Sequence, residues 1–397
     1  KKLLTTDTKI KNKALMMIAE ELINKKEEIK KVNKIDLEKG KENGLSSALL
    51  DRLELTDSRI EAMAHGLKEI AAFTDPIGEI LTGWKHKNGM TIAKKRVPLG
   101  VIGIIYESRP NVTVDSAGLA IKSSNAVILR GSANAINSNI YLSRLFNKTG
   151  IKAGLPENTV QLIENTDREL VNKMVKMNRY IDVLIPRGGK GLKKFIIENA
   201  TIPVIETGAG VCHVFVDESA KIVNALSIIR NAKIQRPSTC NSIETVLIHK
   251  NIAMKILPDL TDMLLKDGVE LRYSKEALEI VNNRIDVKLA NEEDFGAEYL
   301  DMIMSLKLVN DINEAIEYIN SHSTHHSDSI ITEVIDNAEK FLNEVDSAAV
   351  YLNASTRFSD GGEFGYGGEI GISTQKLHAR GPMGVRELIT TKYIIRG

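Results

Sequence analysis

A polar loop that carries a cysteine is the stretch of this sequence best suited to chemistry. Residues 235–241, Gln-Arg-Pro-Ser-Thr-Cys-Asn, have the proline and small polar residues typical of a tight surface loop. Apolar residues with helical spacing precede the loop, and an alternating β-type run follows it. A thiol held between two rigid elements, among backbone N–H groups, is placed as a nucleophile should be, so Cys240 is the candidate. From this stretch alone, an inert half-buried cysteine is the alternative.

Two other loops carry residues suited to binding a phosphorylated cofactor. The motif Arg187-Gly188-Gly189-Lys190 follows an apolar strand and opens a helix, so its backbone could approach a pyrophosphate at the helix N-terminus. A plain tight turn is the alternative, since the motif is not GxGxxG. Arg130 and Ser132 follow a second strand, and with Lys190 they could contact a phosphorylated ribose, which favours NADP over NAD. For Arg130, a surface ion pair is the alternative.

Residues after two further strands could act on a substrate. Ser108, Arg109 and Asn111 offer donors to an oxyanion or to an anionic substrate group, with a helix N-cap made by Ser108 or Asn111 as the alternative. Glu206 ends a predicted strand before a glycine turn. It could act as a base or position a water if it faces the cysteine, and would otherwise be a solvated acid. Glu206 is also a candidate for contacting the cofactor.

Several basic side chains suit the binding of a phosphate or carboxylate. Lys376, His378 and Arg380 lie among small residues in a glycine-flanked stretch, for which a solvated basic loop is the alternative. Arg236, beside the cysteine, is a further candidate for contacting an anionic substrate. His213 is another, although it could equally be a hydrogen-bonded core histidine.

No metal site is predicted. His322, His325 and His326 are close in sequence, but no nearby cysteine or paired carboxylates accompany them, which argues against zinc. Cys212 lacks a loop context and is expected to be structural.

Composition excludes some classes of function. The net charge of +1 argues against a dedicated nucleic-acid binder. Two cysteines in 397 residues do not make a disulfide framework, so we expect a reducing compartment. No apolar run reaches the length of a membrane span and no signal peptide precedes Lys1. These features predict a cytoplasmic globular protein without nucleic-acid or membrane partners.

The elements that must position these groups have the pattern of an α/β protein. Near-continuous Val/Ile/Leu strands alternate with helices, which predicts parallel sheets covered on both faces. In the first sheet, ligands would then bind outside the carboxyl ends of the strands. The predicted strands lie at residues 101–106, 126–129, 159–163, 183–185, 214–216, 243–248, 302–309, 329–331 and 348–352.

Helices and a hairpin are predicted ahead of the first sheet. Apolar spacing predicts a helix over residues 11–32, and Thr56-Asp57-Ser58 offers N-cap chemistry for a second. Residues 79–84 and 90–97 are predicted strands joined near Asn88-Gly89. Such a hairpin is either an arm that reaches another subunit or a sheet extension within the monomer. The domain boundary is placed near residues 208–210.

These features together resemble a known family. The strand and loop at 97–103, the turn at 206–208 and the Cys240 loop occur in the order found in the aldehyde dehydrogenase superfamily. Four longer segments more narrowly resemble its gamma-glutamyl phosphate reductase family, and the likeness runs the length of the chain: residues 106–113, 210–213, 236–241 and 371–384.

The resemblance implies an aldehyde dehydrogenase-like α/β fold in three parts. A Rossmann-type cofactor domain would span residues 1–210 and include an arm hairpin at about 78–97. An α/β catalytic domain would span 211–368. Residues 369–397 would form a return segment and an oligomerisation strand, which completes a β oligomerisation arm and implies a homo-oligomer.

The resemblance also implies glutamate-5-semialdehyde dehydrogenase activity, in proline biosynthesis. The substrate, L-glutamyl 5-phosphate, would be delivered by glutamate 5-kinase and reduced by NADPH to L-glutamate 5-semialdehyde with release of phosphate. Cys240 matches the family nucleophile that carries a thioester. Ser108 stands where the superfamily has an oxyanion-hole asparagine, so Ser108 or Asn111 would complete that hole. Arg130 replaces the usual ribose-binding lysine.

Two other functions stay open at this point. A hydrolytic NAD(P)-dependent aldehyde dehydrogenase would use the same fold, with Glu206 activating water and no dependence on phosphate. A cysteine hydrolase or thiol-dependent binding protein would pair Cys240 with a histidine such as His213 and bind no nucleotide.

Overall fold

The computed structural model describes residues 2–397, apart from the side chain of residue 48. The chain divides into two compact units. Unit 1 comprises Lys1–Thr207, Phe364–Gly371 and Pro382–Gly397, and unit 2 comprises Gly208–Glu363 and Ile372–Gly381. The chain therefore leaves unit 1 at Thr207, close to the predicted boundary. The segment predicted as one C-terminal piece is shared between the units, because residues 372–381 belong to unit 2.

Unit 1 begins with four helices, α1 to α4. The single helix predicted over residues 11–32 is wrong, because the backbone breaks at Lys25 (φ −104°, ψ 15°) and two helices result. The N-cap prediction at Thr56 is confirmed, since its hydroxyl accepts the Arg59 N–H at 3.2 Å. The four helices are α1 Thr8–Asn24, α2 Lys26–Glu42, α3 Ser47–Leu53 and α4 Asp57–Ala72.

The hairpin prediction is confirmed, and a C-terminal strand extends it. Strands β1 (Ile80–Lys85) and β2 (Thr91–Pro98) pair antiparallel, and Gly89 supplies the positive φ of 96° that the turn requires. Residues 389–396 form β16 (Ile389–Arg396), which pairs with β2 from Ile389↔Pro98 to Arg396↔Thr91. We call this three-stranded sheet the arm; its Trp84 and Tyr393 rings meet edge to face at 6.4 Å.

A four-stranded parallel sheet forms the centre of unit 1, with strand order β5-β4-β3-β6. Parallel strands end at one edge, so the loops after β3, β4 and β6 lie together at the carboxyl edge of the sheet. The elements are β3 Val101–Tyr106, α5 Asn111–Lys122, β4 Ala126–Arg130, α6 Ile136–Ala153, β5 Val160–Leu162, α7 Glu169–Met174, β6 Val183–Arg187 and α8 Lys190–Asn199.

A seven-stranded parallel sheet forms the centre of unit 2, with strand order β10-β9-β11-β8-β7-β12-β13. Its central strands are buried along their whole length, as the apolar runs predict. Strands β9 and β10 were not predicted, because they are short and half-exposed. The strands are β7 Cys212–Val216, β8 Ile243–His249, β9 Glu270–Tyr273, β10 Val287–Leu289, β11 Ile303–Val309, β12 Ser327–Ile331 and β13 Ala349–Leu352.

Five helices cover this sheet, and two short strands follow it in sequence. The helices are α9 Ile222–Ile234, α10 Lys250–Lys266, α11 Lys275–Ile280, α12 Ile312–His322 and α13 Ile335–Glu344, and the short strands are β14 Ile372–Ser373 and β15 Gly381–Pro382. Across residues 2–397, no helix combines the length and the apolar character that a membrane crossing requires.

Candidate active site

Cys240 lies on the loop between α9 and β8, at the amino edge of the seven-stranded sheet. Its side chain is half-buried and its sulfur is a free thiol. The predicted order of helix, polar loop and strand is confirmed. In unit 2 the candidate nucleophile is therefore at the opposite edge from the one where ligands usually bind in parallel sheets.

Gly210 allows the Cys240 backbone to come unusually close. A Cβ built on Gly210 would lie 1.4 Å from the Cys240 carbonyl oxygen and 2.9 Å from its Cα, so no other residue fits without moving the main chain. The Gly210 N–H donates to Glu298 Oε1 at 2.7 Å. The glycine turn before β7 thus fixes one side of the cysteine loop.

The second cysteine supports the first. Cys212 is the first residue of β7 and fully buried, and its Sγ lies 3.2 Å from the carbonyl oxygen of Cys240, to which it donates. Burial raises the pKa of the Cys212 thiol well above its ordinary value, so it stays protonated and able to donate. Cys212 therefore has the structural role expected of it.

A buried ion pair joins the two stems of the loop. Lys233 near the end of α9 lies 2.8 Å from Glu244 on β8, and neither side chain is exposed to solvent. Lys233 also donates to the carbonyl of Ile243, and Glu244 accepts the Leu300 N–H. Burial lowers the pKa of Lys233 and raises that of Glu244 to about 7, so each charge depends on the other.

Arg357 contacts the loop from a short helical turn in unit 2. Its guanidinium donates to Gln235 Oε1 at 3.1 Å, to Thr239 Oγ1 at 3.0 Å and to Asn241 Oδ1. The side chain is only 7% exposed. No motif in the sequence points to Arg357, which lies 117 residues beyond Cys240 (357 − 240).

The loop after β3 carries the candidate oxyanion donors. Ser108 is buried, has a positive φ of 28°, and its N–H donates to the Ser132 hydroxyl at 3.2 Å. Asn111 is the first residue of α5 and donates to Asp115 Oδ2 at 3.0 Å. Ser132 therefore shapes the loop that carries Ser108. Arg109, which lies between Ser108 and Asn111 in sequence, is half-buried.

Arg130 is not the surface ion pair considered as its alternative. It is buried, and its guanidinium donates to the carbonyl oxygens of Gly131 at 2.9 Å and Thr166 at 2.7 Å. Burial lowers the pKa of the guanidinium. Most of its N–H groups donate to main-chain carbonyl oxygens of the protein itself. The predicted ribose contact can therefore use only the guanidinium N–H groups that remain.

The glycines after β6 make room for a carboxylate of the protein. Glu107 accepts the Gly189 N–H at 2.8 Å, and a Cβ on Gly188 would lie 2.7 Å from that carboxylate. The pyrophosphate contact predicted for these glycines is therefore not supported, because Glu107 already takes the helix N-terminus. Lys190, the first residue of α8, is exposed.

This carboxyl edge nevertheless has features that fit an anionic cofactor. Arg187 lies 3.4 Å from Glu369, and its buried Nε has no hydrogen-bond partner. The buried Nε of Arg130 is unpaired in the same way. Buried donors are normally hydrogen-bonded, so these two guanidinium N–H groups are candidates for contacting an anionic ligand.

Glu206 does not end a regular strand. Only one bridge, Leu184↔Val204, forms beside β6 before the chain runs to Thr207, whose hydroxyl donates to the carbonyl of Pro186 at 2.8 Å. Glu206 is half-buried there in unit 1.

The prediction that His213 contacts substrate is wrong. The residue is fully buried on β7, and its Nδ1 lies 2.9 Å from Asp328 Oδ1 on the neighbouring strand. Its ring packs edge to face against Tyr318 at 5.9 Å. It is the core histidine that the sequence left as the alternative, and this also removes it as a partner of Cys240 in a cysteine hydrolase.

The predicted anion-binding residues near the C-terminus pair within the protein. Asp346 lies 2.6 Å from Lys376 and 2.7 Å from Arg380. Hydrogen bonds from these two cations lower the pKa of Asp346 to about 2. His378 is exposed with a φ of 70°, and Arg236 is exposed beside the cysteine loop. The segment 376–380 in unit 2 is thus a basic, solvated loop, and Asp346 partly neutralises its positive charges.

Within residues 2–397, no group of three or more histidine, cysteine, aspartate or glutamate side chains is arranged to hold a metal ion.

Comparisons with known proteins show which family this fold and loop belong to. The aldehyde dehydrogenase family model matches residues 2–271 and 278–394. The gamma-glutamyl phosphate reductase of Campylobacter curvus is 58% identical, over 100% of this chain and 95% of that protein. That of Clostridium tetani is 56% identical, over 99% and 94%.

Solved structures agree with this result. The gamma-glutamyl phosphate reductase of Thermotoga maritima is 50% identical and superposes with a TM-score of 0.93, covering 100% of this chain and 95% of that chain. An acetylating aldehyde dehydrogenase of Geobacillus thermoglucosidasius shares the fold, with a TM-score of 0.74 at 18% identity, covering 100% and 93%. The predicted α/β fold is confirmed, and the chain belongs to the aldehyde dehydrogenase family, among its gamma-glutamyl phosphate reductases.

Proposed function

We propose that the protein is an NADPH-dependent reductase of proline biosynthesis that converts L-glutamyl 5-phosphate to L-glutamate 5-semialdehyde and phosphate. The observation that carries the proposal is the Cys240 loop, in a chain that matches gamma-glutamyl phosphate reductases along its whole length. Its two free cysteines agree with a reducing cytoplasm.

Cys240 would act as the nucleophile. Its thiolate attacks the acyl carbon and expels phosphate, which leaves a thioester on the sulfur. The nicotinamide cofactor, when bound, supplies the hydride that reduces this thioester. The thiohemiacetal on Cys240 then collapses to the aldehyde and releases the thiolate. Water is not a reactant, so Glu206 need not act as a base.

The donors for the oxyanion would come from the loop and from the residues after β3. The Cys240 N–H and one side chain, Ser108 or Asn111, would each stabilise the tetrahedral oxyanion by about 3 kcal/mol. Ser108 is the better supported, because Asn111 already donates to Asp115 whereas the strained backbone at Ser108 indicates a constrained position.

Basic side chains would hold the two anionic ligands. Arg130, Arg187 and Lys190 would take the cofactor phosphates, the first two through N–H groups that lack partners within the protein. Arg109, Arg236 and His378 are the candidates for the substrate anion. Lys376 and Arg380 could contribute only if their pairing with Asp346 were exchanged for the ligand.

The arm would join a second copy of the chain. Its strands leave several large apolar side chains exposed, which is unfavourable in a free monomer. These are Ile80 at 53%, Trp84 at 46% and Tyr393 at 59% of their maximal exposure. We expect a homo-oligomer in which the arm is covered, to be measured by light scattering of the wild type and of Trp84→Lys. We also propose that glutamate 5-kinase supplies the substrate.

The reverse reaction tests this function. Glutamate semialdehyde and NADP are incubated with the enzyme, with and without inorganic phosphate, and NADPH absorbance is followed, with Cys240→Ser as the control. Acyl-phosphate chemistry predicts NADPH turnover only with phosphate. Sustained turnover without phosphate would contradict the proposal and indicate a hydrolytic dehydrogenase.

A further inference from the structure

We propose that Arg357 is a positioning residue that holds the Cys240 loop in its reactive conformation. The proposal rests on the proposed function only for its effect on turnover. The structural part, that one guanidinium fixes the loop, stands on contacts within unit 2.

The acceptors of Arg357 bracket the nucleophile. Its Nε donates to Gln235 at the start of the loop, and its Nη1 donates to Thr239 and Asn241, the two neighbours of Cys240 in sequence. Both peptide bonds of Cys240 are therefore held by residues anchored to one rigid planar group.

The main chain around Arg357 contacts the loop as well. Its carbonyl oxygen accepts the side-chain amide of Asn241 at 3.3 Å, and the Thr356 hydroxyl donates to the Asn241 carbonyl at 2.6 Å. Ser359 Oγ accepts the same amide at 3.1 Å. Asn241 is thus locked to the helical turn Thr356–Ser359, and its position follows that of Arg357.

The acceptors around position 357 suit an arginine side chain. The three acceptors on Gln235, Thr239 and Asn241 are neutral oxygens in different directions, which suits the fixed donor geometry of a guanidinium. The nearest carboxylate, Asp360, lies 3.6 Å from Nη2 and is 41% exposed. The side chain is therefore committed to the loop and forms no buried ion pair.

For the reaction, these contacts would fix the position of the Cys240 sulfur. A displacement of about 1 Å between reacting groups can lower a rate by about 100-fold. Releasing three hydrogen bonds beside Cys240 would allow such a displacement, and the substitution changes none of the residues proposed to hold the cofactor.

The test compares Arg357→Ala with Arg230→Ala as the matched control. Arg230 lies on α9 of the same unit and pairs with Asp267 on the surface, 51% exposed. In Arg357→Ala we expect faster amide hydrogen exchange confined to residues 235–242. We expect kcat to fall about 100-fold, with the KM for NADPH within twofold of wild type. Arg230→Ala should change neither.

Rescue separates positioning from general loss of structure. Free guanidinium ion at non-denaturing concentration should restore part of kcat in Arg357→Ala and no activity in Cys240→Ala. Arg357→Lys, which keeps the charge but not the planar donors, should stay at least tenfold below wild type. Full activity in Arg357→Lys would overturn the donor-geometry argument.

A second variant covers the case in which Arg357→Ala does not fold. Thr239→Val removes one of the three acceptors at a half-buried position, and should give the same exchange pattern with about a fivefold loss of kcat. Unchanged exchange at residues 235–242 in every folded variant would overturn the proposal. The hydrogen-exchange measurement needs no substrate. It therefore tests the role of Arg357 even if glutamyl phosphate is not the substrate.

Discussion

The cysteine loop of unit 2 and the carboxyl edge of the unit 1 sheet both combine glycines with arginines, but they use them differently. Two residues contact the cysteine loop from outside it. Gly210 faces the main chain of Cys240, and Arg357 has acceptors for both its Nε and Nη1 groups. At the edge, Gly188 faces a side chain, and Arg130 and Arg187 each keep an unpaired buried Nε. In the comparison, the arginine beside Cys240 is satisfied within the protein, whereas the two arginines at the edge each keep one buried N–H group without a partner, as our proposal of a cofactor site there requires.

Replacing the nucleophile should have the largest effect. Cys240→Ala is expected to abolish turnover while NADPH affinity stays within about twofold, because Cys240 is not among the residues proposed to bind the cofactor. Steady-state assays and fluorescence titration with NADPH measure the two effects. Cys212→Ala is the matched control, since it removes a supporting hydrogen bond to the Cys240 carbonyl and a contact with His326 Nδ1 but keeps the Cys240 thiol, and turnover should fall by no more than about tenfold. Measurable turnover in Cys240→Ala would refute the mechanism.

Alanine substitutions at Gly210 and Gly188 should differ sharply in their effect on the kinetics. Gly210→Ala would place a methyl group 1.4 Å from the Cys240 carbonyl, so the loop must move and kcat should fall by at least about 100-fold. In Gly188→Ala the atoms nearest to the new methyl group belong to the Glu107 and Leu192 side chains, which can shift, so we expect a change of a few-fold confined to the KM for NADPH. Measuring kcat and KM of the two folded variants tests this prediction. An equal loss of kcat in both variants would contradict the difference drawn between the two regions.

Glu206 is expected to matter much less than Cys240. Because the proposed mechanism reduces the thioester and does not hydrolyse it, Glu206→Gln should keep kcat within about tenfold of wild type. A stopped assay at saturating NADPH measures it. A loss as deep as that of the cysteine variant would mean that Glu206 takes part in proton transfer or water activation.

The smallest effect should come from the solvated basic loop. The pKa of Asp346 is lowered to about 2, so its ion pairs stabilise the folded protein above the ordinary aspartate pKa, and this is lost as pH falls from about 4 to about 2. Asp346→Asn should lower Tm by no more than about 2 °C at pH 7, since the pair is exposed. The Tm difference between the variant and wild type should shrink below pH 4. A difference that persisted at pH 2 would contradict the ion-pair origin.

The sequence predicted most of the helices and strands but not the partners of their side chains. Apolar periodicity located the parallel strands, the arm hairpin and the helix–loop–strand around Cys240, because those patterns reflect burial within a single element. It could not show that Glu107 fills the glycine turn at Gly188, or that Asp346 neutralises Lys376, since both contacts join residues far apart in the chain.

His213 and Arg357 show the same limit from opposite sides. His213 was a candidate because histidine suits an anion, yet its register opposite Asp328 places it in the core. Arg357 was not a candidate because its sequence context has no motif, although the fold brings it to the cysteine loop. Residue type indicates possible chemistry, and only tertiary contacts decide which chemistry is used.

A burst experiment tests the central claim most directly. Glutamate semialdehyde and NADP, both in excess, are mixed with enzyme in the absence of phosphate, NADPH is followed by stopped flow, and the Cys240 peptide is analysed by mass spectrometry. The account predicts a burst of one NADPH per Cys240, a glutamyl adduct on that residue, and renewed turnover when phosphate is added. Turnover that continues without phosphate, or a burst with no adduct on Cys240, would contradict it.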